Sequence, residues 1–162
     1  MLNFIARTWV LVALFVATLL VGRSFQPVLE ATGGALLDFQ MNGDDALALL
    51  QGLTPEQKQI HFWGTVINDT AYPLAYGGLF AGIAWRFGGT PRRWLILPAF
   101  GAVVFDLLEN TTQALALSGF EAALVAKDVL TPVKFALAFS AGLLALLLLL
   151  LAVLRRMRSR TA

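Results

Sequence analysis

The chain has 162 residues, 58% of them hydrophobic and 14% charged; a soluble domain carries roughly 25% charged residues. This composition argues against a soluble globular domain and against a disordered chain, and it points to an integral membrane protein. With no cysteine and a single histidine, disulfides, thiol redox chemistry, Cys-ligated metals, bis-histidine haem and HExxH sites are excluded within one chain.

The charge is sorted along the chain. Eight of the 12 basic residues fall in three places: Arg7; Arg86, Arg92 and Arg93; and Arg155, Arg156, Arg158 and Arg160. None of the ten acids lies near them. Short basic segments beside apolar runs are expected on the cytoplasmic side. A nucleic-acid surface is not expected, because the clusters border long apolar stretches.

The first element in chain order is a transmembrane helix at about 3–23, with Arg7 snorkelling to the inner surface. Its weak basic start and missing small-x-small site favour a retained helix over a cleaved signal. Pro27 is expected to end any continuation. The outer loop, 24–54, holds a short helix at Asp44–Leu50, stopped by Gly52. It reads equally well as a lid on the bundle and as a connector covering helix ends. Helices two, three and four are expected at about 55–87, 91–117 and 132–156. Each opens on Thr-Pro (Thr54-Pro55, Thr90-Pro91, Thr131-Pro132), a threonine cap followed by proline in the first turn. Gln57 completes a capping box with Thr54, and Ser118-x-x-Glu121 suggests a short interfacial helix after helix three. Trp9, Trp85 and Trp94 mark the inner interface and Trp63 the outer one. The expected fold is an all-α integral membrane four-helix bundle, one domain over 1–162. Both termini are expected in the cytoplasm of a bacterial inner (plasma) membrane.

Ionisable groups inside a membrane are costly and are functional candidates. Thr65, Asp69, Tyr72 and Tyr76 share one face of helix two, with Asn68 beside them; Asp106, Glu109, Asn110 and Gln113 share a face of helix three. The two stripes lie on hairpin neighbours and can face each other. Lys134 enters near the outer end of helix four and can reach Asp69 or Glu109, or snorkel outward. Pro73 cannot hydrogen-bond the carbonyl of Asp69 four residues earlier, so a kink and a free acceptor are expected there. Gly78-x-x-x-Gly82 reads as a close-packing element.

Four functional readings follow, beside the plain one in which these groups lock the bundle by hydrogen bonds and do no chemistry. Asp69, Asp106 and Glu109 line an outward-facing pocket that binds, and in one version modifies, a lipid-like or small amphiphilic molecule. Asn68, Tyr72, Tyr76, Asn110, Gln113 and Lys134 orient it, and Asp69 and Glu109 form the essential pair. The chain could instead be a non-catalytic assembly or accessory subunit, or a proton- or cation-conducting oligomer. A metal held by the three acids and His61 is the weakest option, because DxxEN is no specific ligand signature. No cofactor is indicated. The expected partners are membrane lipids and a membrane-protein partner or a second copy, with no nucleic acid.

Asp69-Thr-Ala-Tyr72-Pro73-Leu-Ala-Tyr76-Gly77, followed by Asp106-Leu-Leu-Glu109-Asn110, resembles a DxxYPxxYG and DxxEN pattern of uncharacterised small bacterial membrane proteins. The resemblance covers helices two and three and implies that the polar set belongs together, with no activity attached. The layout alone is loosely similar to EXPERA-type sterol isomerase and sigma-2 bundles, without a shared motif.

Overall fold

The structure is a computed structural model that describes residues 1–161, with side chains to Ser159. The side chain of Arg160, counted above with the last basic cluster, lies outside the described residues. Among the described residues there are helices and no strands. Three helical stretches are long and apolar enough to cross a membrane: Thr8–Ala31, Arg92–Leu117 and Glu121–Ser159.

Several helix ends depart from the sequence expectation at prolines, though Pro55 opens a helix as expected. The first expected helix is split into α1 (Leu2–Ile5) and α2 (Thr8–Arg23). Pro27 does not terminate it; it sits in the first turn of α3 (Gln26–Ala31), where its missing N–H costs nothing. α4 (Gly43–Gly52) is capped by Asn42, whose side chain accepts from the Asp45 amide, so the start lies before Asp44. α5 (Pro55–Trp63) has the expected Thr54–Gln57 capping box. It runs into a wide π turn, Gly64–Asp69, before α6 (Thr70–Phe87), so the expected 55–87 helix is interrupted. α7 (Arg92–Leu95) and α8 (Leu97–Leu117) divide the third helix, with Pro98 in the first turn of α8. Ser118 ends α8 and does not cap the segment that follows: its hydroxyl donates back to the Ala114 carbonyl. A 3-10 segment, Glu121–Ala126, then leads directly into α9 (Lys127–Thr161). Thr131 and Pro132 therefore lie inside the last helix, not at its start.

α6 is the central element, packed by α1 and α2 on one side and by α8 and α9 on the other. Glycine makes the first contact close. A Cβ on Gly82 would stand 2.7 Å from Leu11 and 2.9 Å from the Ile5 carbonyl. The half of the core nearer the α6–α7 turn is small and apolar, built on Ala81, Ala84, Ile96, Ala99 and Ala141. α2 packs on α6 without an extensive contact to α9, and this leaves a cleft between α2 and α9.

The loop after α3 is a packed cap. Leu37, Ala46, Leu50, Ala116 and Leu124 form their own apolar cluster at the opposite end. Gly43 is required there, because a Cβ would fall 2.7 Å from the Leu124 carbonyl. Its amide donates to Asp128 at 2.8 Å, tying the cap to the first turn of α9.

Candidate functional site

The upper part of the α2–α9 cleft is a cavity of about 520 Å³. α6 supplies its floor. Tyr72, Tyr76 and Phe80 recur every four residues and so share one face. With Phe25 they form an edge-on and tilted aromatic ladder, with centroid spacings of 5.8, 5.3 and 5.8 Å. Phe135 and Ala138 of α9 and Thr18 of α2 close the sides. The polar wall is made by Asp38, Asp69, Asp106 and Lys134.

Four elements deliver these groups. Asp69 ends the π turn, a distortion that re-aims side chains and is frequent at functional sites. The carbonyl of Asp69, deprived of a proline N–H, accepts from the Asn110 side-chain amide at 2.7 Å. Asp106 accepts from the Tyr76 hydroxyl at 2.7 Å. Asp38 comes from a short 3-10 turn, Leu37–Phe39, in the packed cap. Lys134 pairs with Asp38 at 2.5 Å and with Glu109, and stands 3.8 Å from Asp106. It does not pair with Asp69.

Glu109 sits behind this wall, fully buried, and is not part of the cavity lining. One carboxylate oxygen accepts from Lys127 and, at 2.6 Å, from the Thr131 hydroxyl; the other pairs with Lys134. Asn110 and Gln113 are buried beside it and also stand off the cavity. Asn68 points elsewhere and donates to the Ser24 carbonyl. Of the nine site residues picked from the sequence, Asp69, Asp106, Tyr72, Tyr76 and Lys134 meet at the cavity. Two participants were missed. Asp38 lies in a loop without periodicity and carries no local signal. Lys127 had one: it is seven residues before Lys134, hence on the same helix face, once α9 is drawn through Pro132.

Asp69 and Asp106 are 4% and 5% exposed. One oxygen from each, and one from Asp38, lie within 4.8 Å of one another. Four acids meet two lysines here, so the fully ionised cluster carries two excess negative charges. The carboxylate of Asp69 accepts no hydrogen bond and joins no ion pair among the described residues. One oxygen of Asp106 is likewise buried without a hydrogen bond.

His61 holds the turn that bears Asp38. Its Nε2 accepts the Leu37 amide at 2.9 Å, and its Nδ1 lies 3.3 Å from the Thr65 hydroxyl. Nε2 must be unprotonated to accept. His61 is on α5, outside the three spanning stretches, and burial holds its pKa below the ordinary histidine value. The folded state therefore favours the neutral ring. That contribution is complete above the unfolded-state pKa of about 6.5 and is lost as pH falls through the lower folded value. Hydrogen exchange at Leu37–Phe39, corrected for intrinsic rate, is expected to speed up on acidification. His61→Ala is expected to show the fast rate at all pH values; equal protection in the two proteins would refute the tether.

The chain matches no protein-family model, and no curated protein or solved structure shows significant similarity to it.

Proposed function

We propose that the protein is a four-span membrane protein that binds a lipid-like amphiphile in the cleft between α2 and α9. The fourth span is the π turn and α6, with its cost of broken helix geometry offset by burial against α2, α8 and α9. The observation that carries the proposal is the pair of neighbouring spaces in the cleft, one polar and one apolar. Below the acidic cavity, a second space of about 500 Å³ lies between the same helices, flanked by Leu11, Phe15, Ile83, Gly142 and Leu149. Phe80 borders both spaces. Together they are mostly apolar, with the acids and Lys134 at one end and Thr8 and Arg86 beside the other, a polarity that suits an amphiphile. Such sites are mostly apolar with a few convergent polar groups.

The polar end differs from the sequence expectation in one member. Asp69 and Asp106 face the proposed ligand, with Asp38 replacing Glu109. Tyr72 and Tyr76 flank the head, and Lys134 holds the acids in position. With the basic ends of the helices on the cytoplasmic side, the head lies in the outer half of a bacterial inner membrane. Binding is the activity proposed; no reaction is assigned to the acids.

Lipid extraction of the detergent-purified protein, followed by mass spectrometry, tests this. One defined class of amphiphile is expected to co-purify near one per chain. Ala138→Trp, which fills the cavity side of α9, is expected to remove most of it. Phe139→Trp, at a 75% exposed position on the same helix, is expected to leave it unchanged. Equal lipid occupancy in Ala138→Trp and the parent would refute the cleft as the binding site.

A further inference from the structure

We propose that Asp38, Asp69 and Asp106 together bind one hard divalent cation, of the Ca²⁺, Mg²⁺ or Mn²⁺ class, at the polar end of the cavity. The geometry is the first support. Three carboxylate oxygens within 4.8 Å of one another stand no more than about 2.8 Å from a common centre, close to a Ca–O distance of about 2.3–2.6 Å.

The second support is independent of their proximity. The Asp69 carboxylate is 4% exposed, lines the cavity, and has neither a hydrogen bond nor an ion pair among the described residues. An anion buried in this way is strongly disfavoured unless something positive joins it. The lysines do not serve it. Lys127 is committed to Glu109, and Lys134 to Glu109 and one oxygen of Asp38, with Asp106 at 3.8 Å. The second oxygen of Asp38, and the Asp106 oxygen that has no hydrogen bond and lies 3.8 Å from Lys134, remain for a ligand role.

Charge sets the valence. With two lysines against four acids, the cluster lacks two positive charges, and a divalent ion makes it neutral. The donors set the class. They are carboxylate oxygens, and the lone imidazole has its Nε2 occupied by the Leu37 amide. An all-oxygen set suits Ca²⁺, Mg²⁺ and Mn²⁺ over Zn²⁺ or Cu²⁺. Such ions need six to eight ligands, and the adjoining cavity has room for the waters that would complete the shell. The cation site goes beyond the amphiphile reading and does not need it, since the acids are brought together by the protein alone.

The test is Mn²⁺ titration of the EDTA-treated, detergent-purified full chain, followed by loss of the free-ion EPR signal. One Mn²⁺ per chain is expected, displaced by Ca²⁺. Asp69→Asn is expected to weaken binding by about tenfold or more, at least the loss seen when support to a metal ligand is removed. Asp38→Asn lies in the packed cap, away from the helix core, and decides the matter should Asp69→Asn not fold. Asp45→Asn, an exposed acid bonded to Asn42 on α4, is expected to bind as the parent does. Substoichiometric binding, or parent-like affinity in both Asp69→Asn and Asp38→Asn, would overturn the site. Lipid occupancy is read separately, so the failure of one proposal is distinguishable from the failure of the other.

Discussion

Lys127→Met is expected to destabilise the protein by about 3–5 kcal/mol, the cost of breaking a buried ion pair from one side. Lys127 and Glu109 are both fully buried. Without the ammonium, Lys134 becomes the one cation for Glu109, Asp38 and Asp106, and the excess negative charge of the cluster rises from two to three. Glu109 keeps the Thr131 hydroxyl, which does not compensate a full charge. The double change Lys127→Met with Glu109→Gln is expected to recover most of the loss, because it removes both charges and keeps a hydrogen-bonding group beside Thr131. Unfolding of the purified variants in denaturant, followed by circular dichroism, measures this. A single-variant loss below about 1 kcal/mol, the range of a solvated pair, would show that the pair is not buried as described. A double variant no better than the single would show that the loss is one of packing.

The location of that lysine illustrates where local sequence signals fail. Thr131-Pro132 has the form of a helix start, and proline does favour the first turn. Yet the 3-10 segment before Lys127 already supplies helical backbone, and the Thr131 hydroxyl is used by Glu109 instead of by a cap. Reading a boundary at proline hid the Lys127–Thr131–Lys134 face, whose spacing of four and three residues is otherwise plain. Similarly, Pro27 sits in the first turn of a new helix instead of ending one, and Pro98 opens α8 inside a stretch expected as one helix.

The polar stripes were more legible, because helical periodicity survives insertion into a membrane. Asp69, Tyr72 and Tyr76 do face a common space with Asp106. The stripe on α8 is nevertheless broader than it looks in sequence. At 3.6 residues per turn, Glu109 lies about 60° to one side of Asp106 and Asn110 about 40° to the other. α8 packs between α6 and α9, so Asn110 turns to the Asp69 carbonyl on one flank and Glu109 to Lys127 on the other. One face of a helix thus serves three different neighbours. Asp38 was illegible for a different reason. It is placed by a long-range bond between the Leu37 amide and His61, and loop residues without a period carry no trace of such a partner.

The Asn110 contact predicts a specific coupling with Pro73. Asn110→Leu is expected to cost about 1–3 kcal/mol, because the carbonyl of Asp69 would be left buried and without this donor. Pro73 is the reason the carbonyl needs a side chain at all. In a Pro73→Ala background the alanine N–H becomes available four residues on, within the helix that already continues through this point. The cost of Asn110→Leu should then fall, and the double-mutant cycle should show a coupling on the order of 1 kcal/mol between two residues on different helices. Strict additivity would mean that the amide's value lies elsewhere, in its packing and not in replacing the lost backbone bond. Coupling of the expected sign would explain how a proline can be carried beside a buried carboxylate: the donor that the backbone lacks is supplied across the helix pair. The same bond that repairs the ladder then fixes where Asp69 stands.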